Sequence, residues 1–190
     1  MKALEDKIRS EGTVLPGNIL KVGSFLNQRL DADFLMEMGR EIARLYDGQG
    51  VTKILTIEAS GIAIAVAAGA AMHLPAVFAK KHRSINVGAD VYKTTVHSYT
   101  HGADYNVVVD KDYLSADDRV LIVDDFLANG AALEGLLDLV RQAGGTVVGA
   151  AIAIEKGFQP GGKRLRETGL RVESLAIIDS MEDGVLRFRA

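Results

Sequence analysis

The run from Val120 to Ala132, VLIVDDFLANGAA, constrains this chain more than any other segment. Val120 to Val123 is continuously apolar, so the strand it forms has no side facing water. Such strands belong to parallel sheets covered by helices on both faces. Two carboxylates follow, Asp124 and Asp125, then a short loop holding Gly130, then a helical pattern from Ala131. Ligands of parallel sheets bind beyond the carboxyl ends of the strands. There the backbone N–H groups of Ala128, Asn129, Gly130, Ala131 and Ala132 converge at a helix N-terminus and attract a phosphate. Gly130 lets the backbone turn and come close to the anion. Asp124 and Asp125 repel a phosphate but accept hydrogen bonds from a diol. Phosphate on the loop and ribose on the acids together describe a ribose 5-phosphate. An isolated Asp-Asp would read only as a strand end and turn cap; the strand before it and the helix entry after it favour the ligand site.

The rest of the chain keeps the same rhythm. Lys53 to Ile57, Ala76 to Ala79, Thr146 to Ile154 and Leu175 to Asp179 read as further strands, and Arg119 to Val123 is the strand just described. Ile62 to Met72 reads as an Ala-rich helix packed closely on a sheet, and Ala131 to Ala143 as an amphipathic helix stopped by Gly144-Gly145. Before them, Met1 to Ser10 alternates like a short helix, and Asn18 to Leu30 suits a short strand and turn. Phe34, Leu35, Met38, Ile42 and Leu45 recur at helical spacing behind a cap at Asp31 or Asp33. The expected class is therefore α/β, with a central, mainly parallel sheet flanked by helices. At 190 residues a single domain is expected: residues 1–50 as an N-terminal hood and helix, 51–180 as the core.

Composition removes several alternatives. With no cysteine, thiolate catalysis, disulfides and Cys-ligated metals are excluded. A net charge of -3 argues against bulk attraction to nucleic acid or an anionic membrane. The longest apolar run, Gly61 to Met72, is short of the ~20 residues a spanning helix needs. Neither membrane nor nucleic acid is thus an expected partner, and a cytoplasmic location follows by default. No GxxxxGK[ST] loop is present, which disfavours nucleoside triphosphate hydrolysis.

Three further segments bear on chemistry. Glu58-Ala59-Ser60-Gly61 ends a strand and opens a helix, so Ala59, Ser60 and Gly61 could cradle a diphosphate; taken alone the segment is equally a tight turn. Lys80-Lys81-His82-Arg83 is expected just after a strand, where Lys81 and Arg83 would neutralise a diphosphate, although such a run is usually a solvated face. The polar stretch Ser84 to Tyr113 reads as a hairpin with a long tip, and its part from about 84 to 106 as an active-site flap. Beyond the strand ending at Ile154, Lys156 can donate to an exocyclic oxygen and Phe158 can stack on a flat base. An ammonium donor suits hypoxanthine, guanine or xanthine better than adenine.

With these residues in view, the run Val120 to Ala132 resembles the phosphoribosyl-diphosphate motif of type I phosphoribosyltransferases, with Asn129 and Ala131-Ala132 where that family usually carries threonines. Leu15-Pro16-Gly17, Lys21-Val22, Phe25-Leu26-Asn27-Gln28 and the Asp124 to Gly130 segment are also similar, along essentially the whole chain, to the bacterial xanthine phosphoribosyltransferases of that family. The resemblance implies the type I fold, with a flexible hairpin flap and a small hood from the N- and C-terminal segments. It implies transfer of phosphoribosyl from 5-phosphoribosyl 1-diphosphate to xanthine, giving xanthosine 5'-monophosphate and diphosphate in purine salvage. It assigns the base to Leu20, Asn27 and Lys156 and the phosphate to Ala128 through Ala132. It also implies a homodimer and Mg2+ carried mainly by the diphosphate substrate, without a metal site made by the protein. Transfer would pass through an oxocarbenium-like state, with Asp124 and Asp125 holding the ribose and Lys81 and Arg83 the leaving group. Two alternatives stay open: an enzyme for guanine or hypoxanthine, and a ligand-sensing regulator on the same fold.

Overall fold

A computed structural model of the chain describes residues 1–82, 90–98 and 103–189, apart from the side chains of His82, Ser98, Ala103 and Asp183. In chain order the elements are α1 (Lys2–Glu11), β1 (Thr13–Leu15), β2 (Ile19–Lys21), α2 (Ala32–Leu45), β3 (Lys53–Ile57), α3 (Gly61–Met72), β4 (Ala76–His82), β5 (Val91–Ser98) and β6 (Ala103–Asp110). Then come β7 (Arg119–Leu127), α4 (Ala131–Ala143), β8 (Thr146–Lys156), α5 (Pro160–Glu167), β9 (Val172–Ser180) and β10 (Arg187–Phe188).

Eight strands form the main sheet in the order β10-β9-β8-β7-β3-β4-β6-β5. The central pairs β9-β8, β8-β7, β7-β3 and β3-β4 are parallel, whereas β10, β6 and β5 run antiparallel to their neighbours. The buried pattern of β7 explains its composition. Leu121 and Val123 enter the core beneath α1, α2 and α3, while Val120 and Ile122 enter the core beneath α4 and the β5-β6 hairpin. Every residue of that stretch must be apolar because both faces are covered. Among the described residues, no helix is long and apolar enough to cross a membrane.

Local signals set the helix ends. Asp31 caps α2, its carboxylate accepting from the Phe34 N–H at 3.2 Å. The same carboxylate pairs with Lys7 at 2.8 Å, and that ammonium lies 5.5 Å and 5.1 Å from the rings of Phe25 and Phe34. One lysine thus ties α1 to the start of α2. At the other end of α2, buried Tyr46 donates to the Ala150 carbonyl at 2.8 Å, and burial pushes its phenol up to about 12. Gly144 ends α4 in the left-handed region, at a φ of 77°.

Four expectations need correction. Residues between Asn18 and Leu30 form β2 and then a π-helical turn, Gly23–Asn27, rather than a strand and simple turn. β7 runs on to Leu127, so Asp124 and Asp125 lie within the strand, held by pairing with β8 as far as Leu127↔Glu155. β4 likewise continues to His82 because Lys80, Lys81 and His82 pair with Val108, Val107 and Asn106; the basic run begins inside the strand. The hairpin does not have a long tip, since β5 and β6 are in register from Val91↔Asp110 to Ser98↔Ala103 and only residues 99–102 join them. Those four, together with 83–89, lie outside the described residues, and so does most of the expected flap tip.

Helices α2 and α3 touch at backbone level. A Cβ on Gly39 would stand 2.4 Å from the Ala67 carbonyl carbon and oxygen. Gly39→Ala must therefore push the helices apart and is expected to lower the unfolding free energy by roughly 1–3 kcal/mol. An unchanged urea midpoint would show that this crossing is not tight.

Candidate active site

The site begins with a change of winding direction. From β3 the chain crosses to β4 on one side; from β7 it crosses to β8 on the other. The loops leaving β3 and β7 therefore diverge from neighbouring parallel strands, paired at Leu55↔Ile122, and leave a crevice between them. Both loops expected to bind anions flank it: Glu58 to Gly61 after β3, and Ala128 to Gly130 after β7.

The first loop is compact. The Glu58-Ala59 peptide is cis, and Ser60 precedes α3 without its hydroxyl capping the helix. A Cβ on Gly61 would stand 2.2 Å from Thr56 Oγ1 and 3.0 Å from Asp124 Oδ1, so the helix entry reaches the carboxylate pair only because residue 61 is glycine. Glu58 accepts from the Lys81 backbone N–H at 2.5 Å and donates from its own N–H to the Ala79 carbonyl at 3.0 Å, fixing the loop against β4. Lys81 Nζ sits 5.6 Å from the Tyr105 ring, and its charge favours ionised Asp124. Arg83 lies outside the described residues.

Asp124 is buried and Asp125 partly so. Burial pushes Asp124 well above the usual carboxylate range, and the charge of Asp125 adds to this. Burial also pushes Asp125 up, against the pull of hydrogen bonds from the Phe126 N–H, Asp124 and the Asn27 amide. When Asp124 holds a proton it donates to Asp125, which leaves the pair's charge on Asp125.

The four residues expected to hold a base occupy one rim, reached from two chain segments. Asn27 ends the π-helical turn and meets Asp125. Lys156 ends β8 and donates to the Asn18 carbonyl at 2.9 Å, just before β2, which carries buried Leu20. Burial pushes the Lys156 ammonium down from its ordinary range. Phe158, two residues on, exposes 37% of its surface. Adjacent Glu155 points away from this rim and serves the scaffold. It is buried, bonds Arg166 at 2.8 Å and 2.7 Å, and accepts from Ser174 at 2.5 Å. Burial would raise its carboxyl, but these bonds hold it below the usual range.

The second loop lies under a cavity of about 180 Å³ lined by Ala128, Asn129, Gly130, Ala131 and Ala132. Gly130 holds a φ of 91°, the left-handed conformation the helix entry requires. The opposite wall comes from His97 on β5 and Tyr105 on β6. Burial and the charge of Asp124 both raise the Tyr105 phenol. Sequence reading did not mark His97, Tyr105, Thr56 or Glu58 as site residues. The alternation of Tyr105, Val107 and Val109 does signal a hairpin strand, but only the pairing with β4 and the packing on α4 aim it.

Residues 27–176 match the family model described as the phosphoribosyl transferase domain, and the chain belongs to that family. The likeness sharpens with particular relatives. The chain is 54% identical over 190 residues to xanthine phosphoribosyltransferase 1 of Clostridium perfringens, covering 100% of both proteins. It is 53% identical to the xanthine phosphoribosyltransferase of Lachnoclostridium phytofermentans, covering 100% of this chain and 98% of that protein. Among solved structures, adenine phosphoribosyltransferase from Rhodothermus marinus superposes with a TM-score of 0.76 at 21% identity, over 94% of this chain and 100% of that one. At that identity the superposition carries the fold and not the base.

The carboxylate pair makes a testable link between ionisation and stability. A raised folded-state value costs nothing below the unfolded value of ~3.9; the cost grows as pH rises towards the folded value and persists above it. Asp124→Asn removes that cost. Its melting temperature is expected to exceed wild type at pH 7, with the gain shrinking towards pH 4. An equal difference at both pH values would show that burial does not perturb Asp124.

Proposed function

We propose that this chain transfers the 5-phosphoribosyl group from 5-phosphoribosyl 1-diphosphate to xanthine, forming xanthosine 5'-monophosphate and diphosphate. The observation that carries this reading is the carboxylate pair between two anion loops, with Asn27 and Lys156 on the adjoining rim. Full-length identity above one half to proteins named xanthine phosphoribosyltransferase supports the choice of base.

The 5-phosphate rests on the N–H groups from Ala128 to Ala132 at the positive end of α4. Asp125 and Asp124 accept from the ribose hydroxyls, and their charge favours the cation that develops at the anomeric carbon. Ala59, Ser60 and Gly61 receive the diphosphate, with Lys81 and Arg83 stabilising it as it leaves. Lys156 has three N–H donors and spends one on Asn18, so two remain for an oxopurine. Asn27 both donates and accepts, which fits the mixed edge of xanthine, and Leu20 and Phe158 supply apolar contact.

The residues also fit magnesium of the kind that arrives with a diphosphate. Among the described residues no group of three or more His, Asp or Glu side chains gathers for a metal, and Mg2+ commonly keeps most of its ligands from substrate and water. Asp124 and Asp125 are the residues that would complete its shell. When bound, the ion neutralises charge on the diphosphate. We place the protein in the cytoplasm as a homodimer, in which the half-exposed Phe78 and exposed Val66 would find cover.

A spectrophotometric assay with xanthine, guanine, hypoxanthine and adenine tests the reading, with the highest kcat/KM expected on xanthine and the lowest on adenine. A preference for guanine or hypoxanthine would move the assignment to that base. In the same assay Lys156→Ala is expected to lower kcat/KM for xanthine roughly tenfold to hundredfold, the loss of a charged hydrogen bond. Wild-type xanthine kinetics in this variant would place the base elsewhere.

A further inference from the structure

The phosphate loop is poor in side-chain donors. Ala128, Gly130, Ala131 and Ala132 have none, and Asn129 turns back on the loop, its Oδ1 accepting from the Ala131 N–H at 3.1 Å. Arg164 approaches from α5 but is already engaged, donating to the Asn129 carbonyl at 2.9 Å and to Glu134 at 2.6 Å. A phosphate on this loop is thus met by backbone N–H groups with no charged or hydroxyl side chain from the loop itself. Charge-assisted hydrogen bonds are about twice as strong as neutral ones, so a donor on the facing wall would add appreciably to binding.

That wall is built and fixed. β5 is clamped to α4 at Gln142, whose amide oxygen accepts from the Lys93 N–H at 3.2 Å and whose amide nitrogen donates to the Lys93 carbonyl at 2.8 Å. A Cβ on Gly135 would stand 2.5 Å from Val96 Cγ2, so strand and helix meet at their closest packing here. The next residue is His97, whose ring lines the cavity over Ala128 to Ala132. Its Nδ1 lies 2.6 Å from Asp104 Oδ1, directly across the hairpin at His97↔Asp104. A carboxylate at one ring nitrogen makes that nitrogen a donor and fixes the orientation of the ring. The other ionisable groups about the cavity are Tyr105 on β6 and, beyond the loop, Glu134 and Arg164.

We propose that His97 donates to the 5-phosphate of the bound phosphoribosyl group, as the side-chain donor the loop lacks, and that Asp104 is its positioning residue. This rests on the phosphoribosyltransferase reading above and adds a contact to it. The phosphate is held between two elements: the start of α4 below and the β5-β6 hairpin above.

The test uses the intact protein and ligands that separate the two anion loops. Affinity for ribose 5-phosphate is measured by calorimetry in wild type, His97→Ala, His97→Gln and Asp104→Asn, with diphosphate as the control for the other loop. His97→Ala is expected to weaken ribose 5-phosphate about tenfold, the size of one charge-assisted hydrogen bond, and to leave diphosphate unchanged. In steady-state kinetics its KM for 5-phosphoribosyl 1-diphosphate rises while KM for xanthine stays. His97→Gln recovers part of the loss because it keeps a neutral donor, and Asp104→Asn shows a smaller loss in the same direction. Equal ribose 5-phosphate affinity in wild type and His97→Ala overturns the inference, and so does an equal loss on both ligands. The base assignment fails separately, if wild type binds ribose 5-phosphate but forms no xanthosine 5'-monophosphate. A wild type that binds no ribose 5-phosphate overturns both.

Discussion

The parallel pairing of β3 with β7 is the constraint on which the rest depends. The two strands carry the chain in opposite directions across the sheet, so the loops at their carboxyl ends open a crevice that neither could form alone. Both anion loops, the carboxylate pair and Thr56 are fixed once that pairing forms. Side chains then tune the distance: glycine at 61 brings α3 within reach of Asp124, and glycine at 130 gives the turn into α4. The opposite ends of the same strands are held by a different device, the Lys53–Asp118 ion pair at 2.7 Å, which is also anchored to the Tyr113 carbonyl.

Burial of the two acids follows from the same geometry. They stand where a fully covered strand reaches the crevice, so β7 keeps its pairing with β8 while its side chains change from apolar to ionisable. A strand chosen only for stability would carry apolar residues through Leu127. Retaining Asp124 in a buried position is the local conflict between fold and chemistry expected at a working site. Glu155, on the next strand, shows the other solution: a buried carboxylate made acceptable by a two-pronged arginine and a serine hydroxyl.

Most of the architecture was legible in the sequence because its signals are local. The apolar runs of β3 and β7, the helical spacing of α2 and the Gly144 stop depend only on near neighbours, and each appears where the pattern puts it. Strand ends were less legible. Lys80, Lys81, Asp124 and Asp125 look like residues beyond a strand, yet pairing with β6 or β8 keeps them in one. The meeting of Asn27 with Asp125 crosses almost a hundred residues of chain, and nothing in the composition around Asn27 signals it; only family resemblance pointed there. His97 escaped notice for the same reason, since a lone histidine in a polar stretch gains meaning only when hairpin register and the α4 contact aim it.

The bond from Lys156 to the Asn18 carbonyl has a consequence for recognition. Without a purine, this ammonium latches the start of the N-terminal segment to the end of β8. A base that claims that donor offers an exchange: one carbonyl oxygen leaves and another arrives, with little net loss. An amino group at the same place has no oxygen to give in return, so its entry strips the latch and leaves two donors facing each other. Selectivity against amino-purines is thereby written partly into the empty protein, as a standing competitor that only an oxygen can replace on equal terms.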